Sequence, residues 1–235
     1  MSESAKLQQL AAAQIAREQR RGVLILDTRA AEQFASFHIP GAMQLGLRGP
    51  FASWAAILLE PTQKLLLIAD DATSAQEARV RLARVGLPHV AGFALADEKH
   101  WQHNGIKLAG VPIHRCKDVR RNLPGDRPVQ LIDVRSPAEW LKGHLPGAIS
   151  MPLLAINSEA ASIDFSKPSL VYCQEGYRAT TAASMLLRGN AGDVGILIDG
   201  IDGIDGIEGS QACGQPLATP FQRLEVSATR DLCAW

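Results

Sequence analysis

The chain has 235 residues, with 24 Lys and Arg against 24 Asp and Glu, and 46% of its residues are hydrophobic. That length holds one large domain or two of about 100–120 residues. The balanced charge excludes a global field steering the chain to nucleic acid or an anionic membrane. No apolar run approaches the roughly 18–20 residues that span a bilayer.

In chain order, residues 1–21 are Ala-rich but broken by Lys6, Gln8, Gln9, Gln14, Arg17, Glu18, Arg20 and Arg21. They contain no uninterrupted apolar core and no export cleavage pattern, so the expected location is cytoplasmic. Residues 23–26 read as a buried strand. A short helix is expected after Asp27-x-Arg29, and His38-x-Pro40-Gly41-Ala42 reads as a tight turn into another short strand. A helical segment over 51–59, a strand over 65–68, a helix over 74–85 and a strand over 89–92 follow. Residues 110–128 read as a linker carrying Pro112, Pro124, Gly125 and Pro128. Its Lys117, Arg120 and Arg121 fit a solvated helix face better than a binding patch. The same series then recurs: a strand over 129–134, a less well-formed helical segment, a strand over 170–172, a helix over 179–188 and a strand over 194–198.

The recurrence is a true internal repeat. Asp27 and Asp133, His38 and His144, and Gly41 and Gly147 are each 106 positions apart, inside a gap-free match. Two copies of one domain are implied. Strands alternating with helices place each copy in the α/β class, with a mostly parallel sheet flanked by helices. The expected divisions are a first domain over 1–110, a second over 111–216 and a tail over 217–235.

Cys173 is the candidate nucleophile. It ends a short apolar strand and faces the start of an Ala-rich helix, where unpaired amide N–H groups and the helix dipole favour an anion. Arg178 adds positive charge, and the thiolate is the nucleophilic form of cysteine. Ligands of parallel sheets gather beyond the strands' carboxyl ends, where this loop falls. Cys116, Cys213 and Cys233 lie apart from it and from one another. With no Cys-x2-Cys pair, neither structural zinc nor a disulfide framework is expected, and no metal site is assigned. The chemistry requires a thiol that a small donor can reach.

Three motifs together resemble the rhodanese (thiosulfate sulfurtransferase) family: Asp133-x-Arg135, Gly143-His144-Leu145-Pro146-Gly147-Ala148, and Cys173-x-x-Gly176-x-Arg178-Ala179. The likeness covers residues from about 20 to 216 as a tandem. Through the stretch Gly46-Leu-Arg-Gly-Pro-Phe-Ala-Ser-Trp-Ala55, it extends to the rhodanese tandem fused to metallo-β-lactamase-fold persulfide dioxygenases. No His-x-His-x-Asp-His stretch is present, so no iron chemistry and no cofactor carry over.

The resemblance implies that Cys173 takes the outer sulfur of thiosulfate or a related sulfane donor as a persulfide, which cyanide or a thiol then removes. Gln174, Glu175, Gly176, Tyr177 and Arg178 form the substrate loop. Their backbone amides would curl into an anion nest, with Gly176 supplying the backbone freedom. Arg178 would hold the donor's oxygens or, alternatively, pair with a carboxylate to shape the loop. Gln174, Glu175 and Tyr177 are expected to point outward. Asp133, Arg135 and His144 read as scaffold, and Glu139 stands near a position where relatives acting on 3-mercaptopyruvate carry Arg. Partners would be a small sulfur donor, a thiol or cyanide acceptor, and an enzyme that makes or oxidises persulfides.

Aligning helix to helix at an offset of 104 puts Ala69, Ala72 and Ser74 where the second copy has Cys173, Gly176 and Arg178. With Asp70 and Asp71 beside them, the first copy is expected to be inactive. Two other readings stand beside the enzyme: a persulfide carrier or docking module, and a phosphatase or arsenate reductase of related fold. The latter chemistry uses a loop one residue longer between Cys and Arg. The Gly-Ile-Asp run over 198–209 reads as a Gly-rich loop and weak final helix.

Overall fold

The computed structural model describes residues 7–115 and 129–201, apart from 146 and 190. Cys116, Cys213, Cys233, the basic stretch at 117–121, most of the Gly-Ile-Asp run and the tail lie outside the described residues. The chain divides into two compact units, Met1–Gly110 and Val111–Trp235.

The first unit opens with helix α1 (Ala12–Arg20), then β1 (Leu24–Asp27), α2 (Ala31–Ser36) and β2 (Met43–Gln44). Helix α3 (Phe51–Leu58), β3 (Leu65–Ala69), α4 (Ala72–Arg84), β4 (Val90–Leu95) and α5 (Glu98–His103) complete it. Its strands pair in parallel in the order β2-β1-β3-β4. Every residue of β1 and β3 is buried. Such Leu- and Ile-rich runs are what a sheet covered on both faces demands.

The second unit contains β5 (Ile113–His114), β6 (Gln130–Asp133), α6 (Pro137–Leu141) and β7 (Ile149–Ser150). A short helix α7 (Ile156–Glu159) follows, flanked by 3₁₀ turns, then β8 (Ser169–Tyr172), α8 (Tyr177–Arg188) and β9 (Val194–Leu197). The sheet order is β5-β9-β8-β6-β7, again all parallel. Removing β5 leaves the order of the first sheet, copy for copy.

Residues 113–114, expected within the linker, are an edge strand instead. The first copy has a counterpart: Phe93 donates its N–H to Gln8 at 2.9 Å, and Leu10 donates to Phe93 at 2.7 Å. Each copy therefore begins by laying a few residues against its own last strand. Glycine marks both contacts. A Cβ at Gly92 would meet Leu10 Cγ at 2.8 Å, and one at Gly195 would meet the His114 ring at 3.1 Å. Strands this short beside a proline carry no readable alternation, which is how edge strands are kept from recruiting neighbours.

The repeated polar residues build the same joint twice. Arg29 grips Asp27 through Nε (2.9 Å to Oδ1) and Nη2 (2.6 Å to Oδ2), then reaches the Phe37 carbonyl at 2.8 Å. Arg135 grips Asp133 at 3.0 and 2.7 Å and reaches the Gly143 carbonyl at 2.7 Å. His38 Nδ1 lies 3.0 Å from the Phe34 carbonyl and stacks on Phe34, while His144 Nδ1 lies 3.1 Å from the Trp140 carbonyl and stacks on Trp140. These contacts fix the strand-to-helix turn and the way the chain leaves that helix.

Candidate active site

The site lies where β8 ends and α8 begins. Asp133 pairs with Tyr172 across β6 and β8, as Asp27 pairs with Ile68 across β1 and β3. The next residue along is Cys173 in the second copy and Ala69 in the first. Both following helices end at equivalent positions, Arg84 and Arg188. The offset of 104 is therefore physical, and the first copy has a methyl group where the second has its thiol.

Between Tyr172 and Tyr177 the backbone turns sharply. Gly176 is the N-cap of the twelve-residue α8, in the left-handed region at φ 86°. This puts its N–H 3.1 Å from Cys173 Sγ, which accepts the hydrogen bond. The Gly176 carbonyl accepts from both the N–H and the hydroxyl of Thr180, each at 3.1 Å. A sulfur receiving an amide at a helix N-terminus sits in a field that favours negative charge.

The turn after β9 braces the loop from the other side. Ile201 donates its N–H to the Cys173 carbonyl at 2.8 Å. Gly200, at φ 57°, lies so close that a Cβ there would come within 2.6 Å of that same oxygen. A Cβ on Gly176 would collide with the Ile198 carbonyl. Two glycines thus let two backbones touch. The first residues of the Gly-Ile-Asp run, 198–201, form this turn, a loop as the sequence predicts, and they frame the site.

Two expectations need correction. Cys173 is 1% exposed, so the thiol lies on the floor of the loop and not at an open surface. Close backbone packing on both sides of the loop is the physical reason. Gln174 does not point outward: it is half-buried, and its Oε1 lies 3.4 Å from Arg135 Nη1. Glu175 is exposed, and Tyr177 is half-buried.

Of the two readings open for Arg178, the structure has the carboxylate pair, and the carboxylate is Glu139. Arg178 Nη1 donates to Glu139 Oε2 at 2.7 Å and Nη2 donates to Oε1 at 2.6 Å, a parallel two-bond pair. Glu139 Oε2 also accepts from Ser136 N–H at 3.0 Å and Ser136 hydroxyl at 2.7 Å. Glu139 is thus the return arm of a capping box that starts α6, and it spans to α8 as well. The Ser136-x-x-Glu139 spacing is a signal that could have located the cap. Nothing local announced the partner 39 residues away.

The hydrogen bonds from Arg178, assisted by those from Ser136 and opposed by burial, pull the Glu139 carboxyl from 4.5 to about 2. A depressed carboxyl pKa contributes stability above its ordinary titration range, and that contribution is lost as pH falls through the folded-state value. The denaturation midpoint of wild type should therefore exceed that of Glu139→Gln by a constant amount above about pH 5, the gap closing toward pH 2. A gap that persists at pH 2 would show that the ionised pair is not its source.

The position matching Glu139 in the first copy, 106 earlier, is Gln33. Gln33 Oε1 accepts from the Ala30 N–H at 3.0 Å, and its Nε2 donates to Asp70 Oδ1 at 2.8 Å. Both copies thus tie the loop after the central strand to the helix after the first strand. In the first copy the tie reaches Asp70, next to Asp71, which caps α4 by accepting from Ser74 N–H at 2.7 Å.

Two copies of a parallel-sheet unit, each with an Asp-Arg joint, and one with a cysteine cradled at a helix N-terminus, define the class. The chain belongs to the rhodanese-like domain family, which it matches over residues 8–94 and 116–206. It is 37% identical over 70 residues to YqhL of Bacillus subtilis, a match covering 30% of this chain and 56% of that protein, little more than half its length. A sulfurtransferase of Allochromatium vinosum is 29% identical over 85 residues, which is 36% of this chain and 79% of that one. The solved thiosulfate sulfurtransferase of Pseudomonas aeruginosa aligns over 89% of this chain and 46% of its own, at 21% identity and a TM-score of 0.38. Among the described residues, no helix is long and apolar enough to cross a membrane.

Proposed function

We propose that the chain is a sulfurtransferase that carries sulfane sulfur on Cys173. The observation that supports this best is the hydrogen bond from Gly176 N–H to Cys173 Sγ. An inert buried thiol needs no left-handed glycine turning an amide toward it. In the first step the Cys173 thiolate attacks the outer sulfur of the donor. With thiosulfate, the Sγ–S bond forms as the S–S bond breaks, the electron pair leaves with sulfite, and Cys173 becomes a persulfide anion. Cyanide or a thiolate then attacks the terminal sulfur and restores the thiolate. The negative charge stays on sulfur at the α8 N-terminus throughout, so the same amides serve every stage without reorganising. The first copy, with Ala69 at the thiol's position, takes no part in this chemistry.

The burial of Cys173 favours a second reading, in which sulfur passes to or from a protein partner that opens the loop and the chain acts as a carrier. A relative in Bacillus subtilis, 24% identical over 85 residues, bears the name putative sulfur carrier protein YrkF. Incubation with thiosulfate or glutathione persulfide should add the mass of one sulfur atom, mapped to Cys173. The gain should vanish in Cys173→Ser and persist in Cys116→Ser. Uptake with release of thiocyanate supports the enzyme, and uptake without turnover of any small acceptor supports the carrier. If the native protein stays unmodified under saturating donor, and Cys173 also resists iodoacetamide, both readings fail.

A further inference from the structure

We infer that Glu139 sets the charge of the donor that Cys173 accepts: by occupying Arg178, it disfavours the dianion thiosulfate and favours sulfane donors of low charge, such as an organic persulfide. This inference rests on the sulfur-transfer reading above and names the donor class for that site.

Arg178 faces Cys173 and Arg135 lies 3.4 Å from the adjacent Gln174, and each already holds a carboxylate through two parallel bonds. Arg135 binds Asp133, and Arg178 binds Glu139. The Asp133 pair is buried, and the Arg178–Glu139 pair is only 20% and 28% exposed at its side chains. Planar two-point pairs of this kind are the strong ones. An incoming oxyanion would have to displace a carboxylate that Ser136 also holds in place. Because Glu139 keeps its charge down to about pH 2, proton uptake does not release Arg178 at any working pH.

With both cations matched, the thiolate and the adjacent, exposed Glu175 leave the loop net negative. A dianion pays that repulsion twice. An organic persulfide carries at most one charge at the reacting sulfurs and departs as a thiolate: Cys173 Sγ bonds the outer sulfur, the S–S bond breaks, and RS⁻ leaves with the electron pair and no net change of charge.

Charged and neutral alkylating agents test this independently of sulfur transfer. In the full chain, the rates at which Cys173 reacts with iodoacetate and with iodoacetamide are followed by peptide mass, so that loop accessibility cancels in their ratio. Glu139→Gln retains an acceptor oxygen for Ser136 but drops the charge, and it should raise the iodoacetate-to-iodoacetamide ratio about fivefold or more, the scale of one unmatched charge nearby at partial exposure. The double variant Glu139→Gln/Arg178→Gln should lose that gain, because the gain comes from the freed guanidinium. In parallel, sulfur uptake from thiosulfate, relative to the persulfide of 2-mercaptoethanol, should rise by a similar factor in Glu139→Gln.

An unchanged alkylation ratio in Glu139→Gln, or a gain that survives in the double variant, overturns the inference. So does a wild-type chain that loads faster from thiosulfate than from the persulfide at equal concentration. If the ratio shifts as expected but neither donor loads Cys173 in any variant, the charge assignment stands and the sulfur-transfer reading falls.

Discussion

Replacing Gly176 with alanine should cost on the order of 2–4 kcal/mol of stability in the second unit and lower sulfur uptake at Cys173 by about a hundredfold. Two separate penalties add. At φ 86° an L-residue sits in a sparsely populated region, which costs roughly 1–3 kcal/mol. The new methyl group would also run into the Ile198 carbonyl, whose carbon is 2.8 Å from the Cβ position. That neighbour is backbone tied into the turn after β9, so it cannot swing aside as a side chain would. The loop must move, carrying the Gly176 N–H away from the sulfur. Gly147 is the control that separates the penalties: it has φ 73° in the same unit, with nothing within 4 Å of a Cβ. Gly147→Ala should show the conformational cost alone, and the denaturation midpoints of the two variants should differ by the collision. If the two lose equal stability and Gly176→Ala still loads sulfur at the wild-type rate, the interlock of the two turns is not what holds the loop.

How much of this could be read from the sequence depends on how local each interaction is. The repeat was legible because its residues act within one strand-turn-helix segment. Asp27 and Arg29 are two apart, Arg29 reaches Phe37 eight residues on, and His38 turns back four residues to Phe34. Geometry of that range forces identical residues at identical spacing, and a second copy 106 residues later then shows itself. The place of Cys173 was legible for the same reason: a strand, a glycine and a helix follow one another directly.

What the sequence hid is long-range or featureless. Glu139 and Arg178 are 39 residues apart, and each has a sufficient local explanation, a capping residue for one and a loop cation for the other. Their pairing depends on α6 and α8 standing side by side, which no periodicity expresses. The edge segments at 8–10 and 113–114 are too short to show alternation, the first lying in the Ala-rich N-terminal stretch and the second within the expected linker. The depth of Cys173 also follows from a remote element, the turn at 198–201, where Gly200 serves close approach rather than flexibility.

The largest purely structural loss should come from Asp27→Ala and Asp133→Ala, each about 3–5 kcal/mol, read as a drop in denaturant midpoint. Both carboxylates are buried, at 0% and 1% exposure, and both are paired to arginines exposed by 2% and 4%. Removing either leaves a buried guanidinium without its counter-charge, held by the Phe37 carbonyl in the first copy and by the Gly143 carbonyl and Gln174 in the second. An uncompensated buried charge is costlier than a missing pair. The matched replacements Asp27→Leu/Arg29→Met and Asp133→Leu/Arg135→Met should therefore recover much of the loss despite removing more hydrogen bonds. The two sites should part company in chemistry. Arg29 touches nothing in a thiol loop, whereas Arg135 lies 3.4 Å from Gln174. Freeing it in Asp133→Ala puts an unmatched cation beside the Cys173 loop and should raise the iodoacetate-to-iodoacetamide ratio there, as Glu139→Gln does. Should both single variants lose under 1 kcal/mol, the Asp-x-Arg joint would be dispensable, and the repeated motif would need another explanation than the turn it holds.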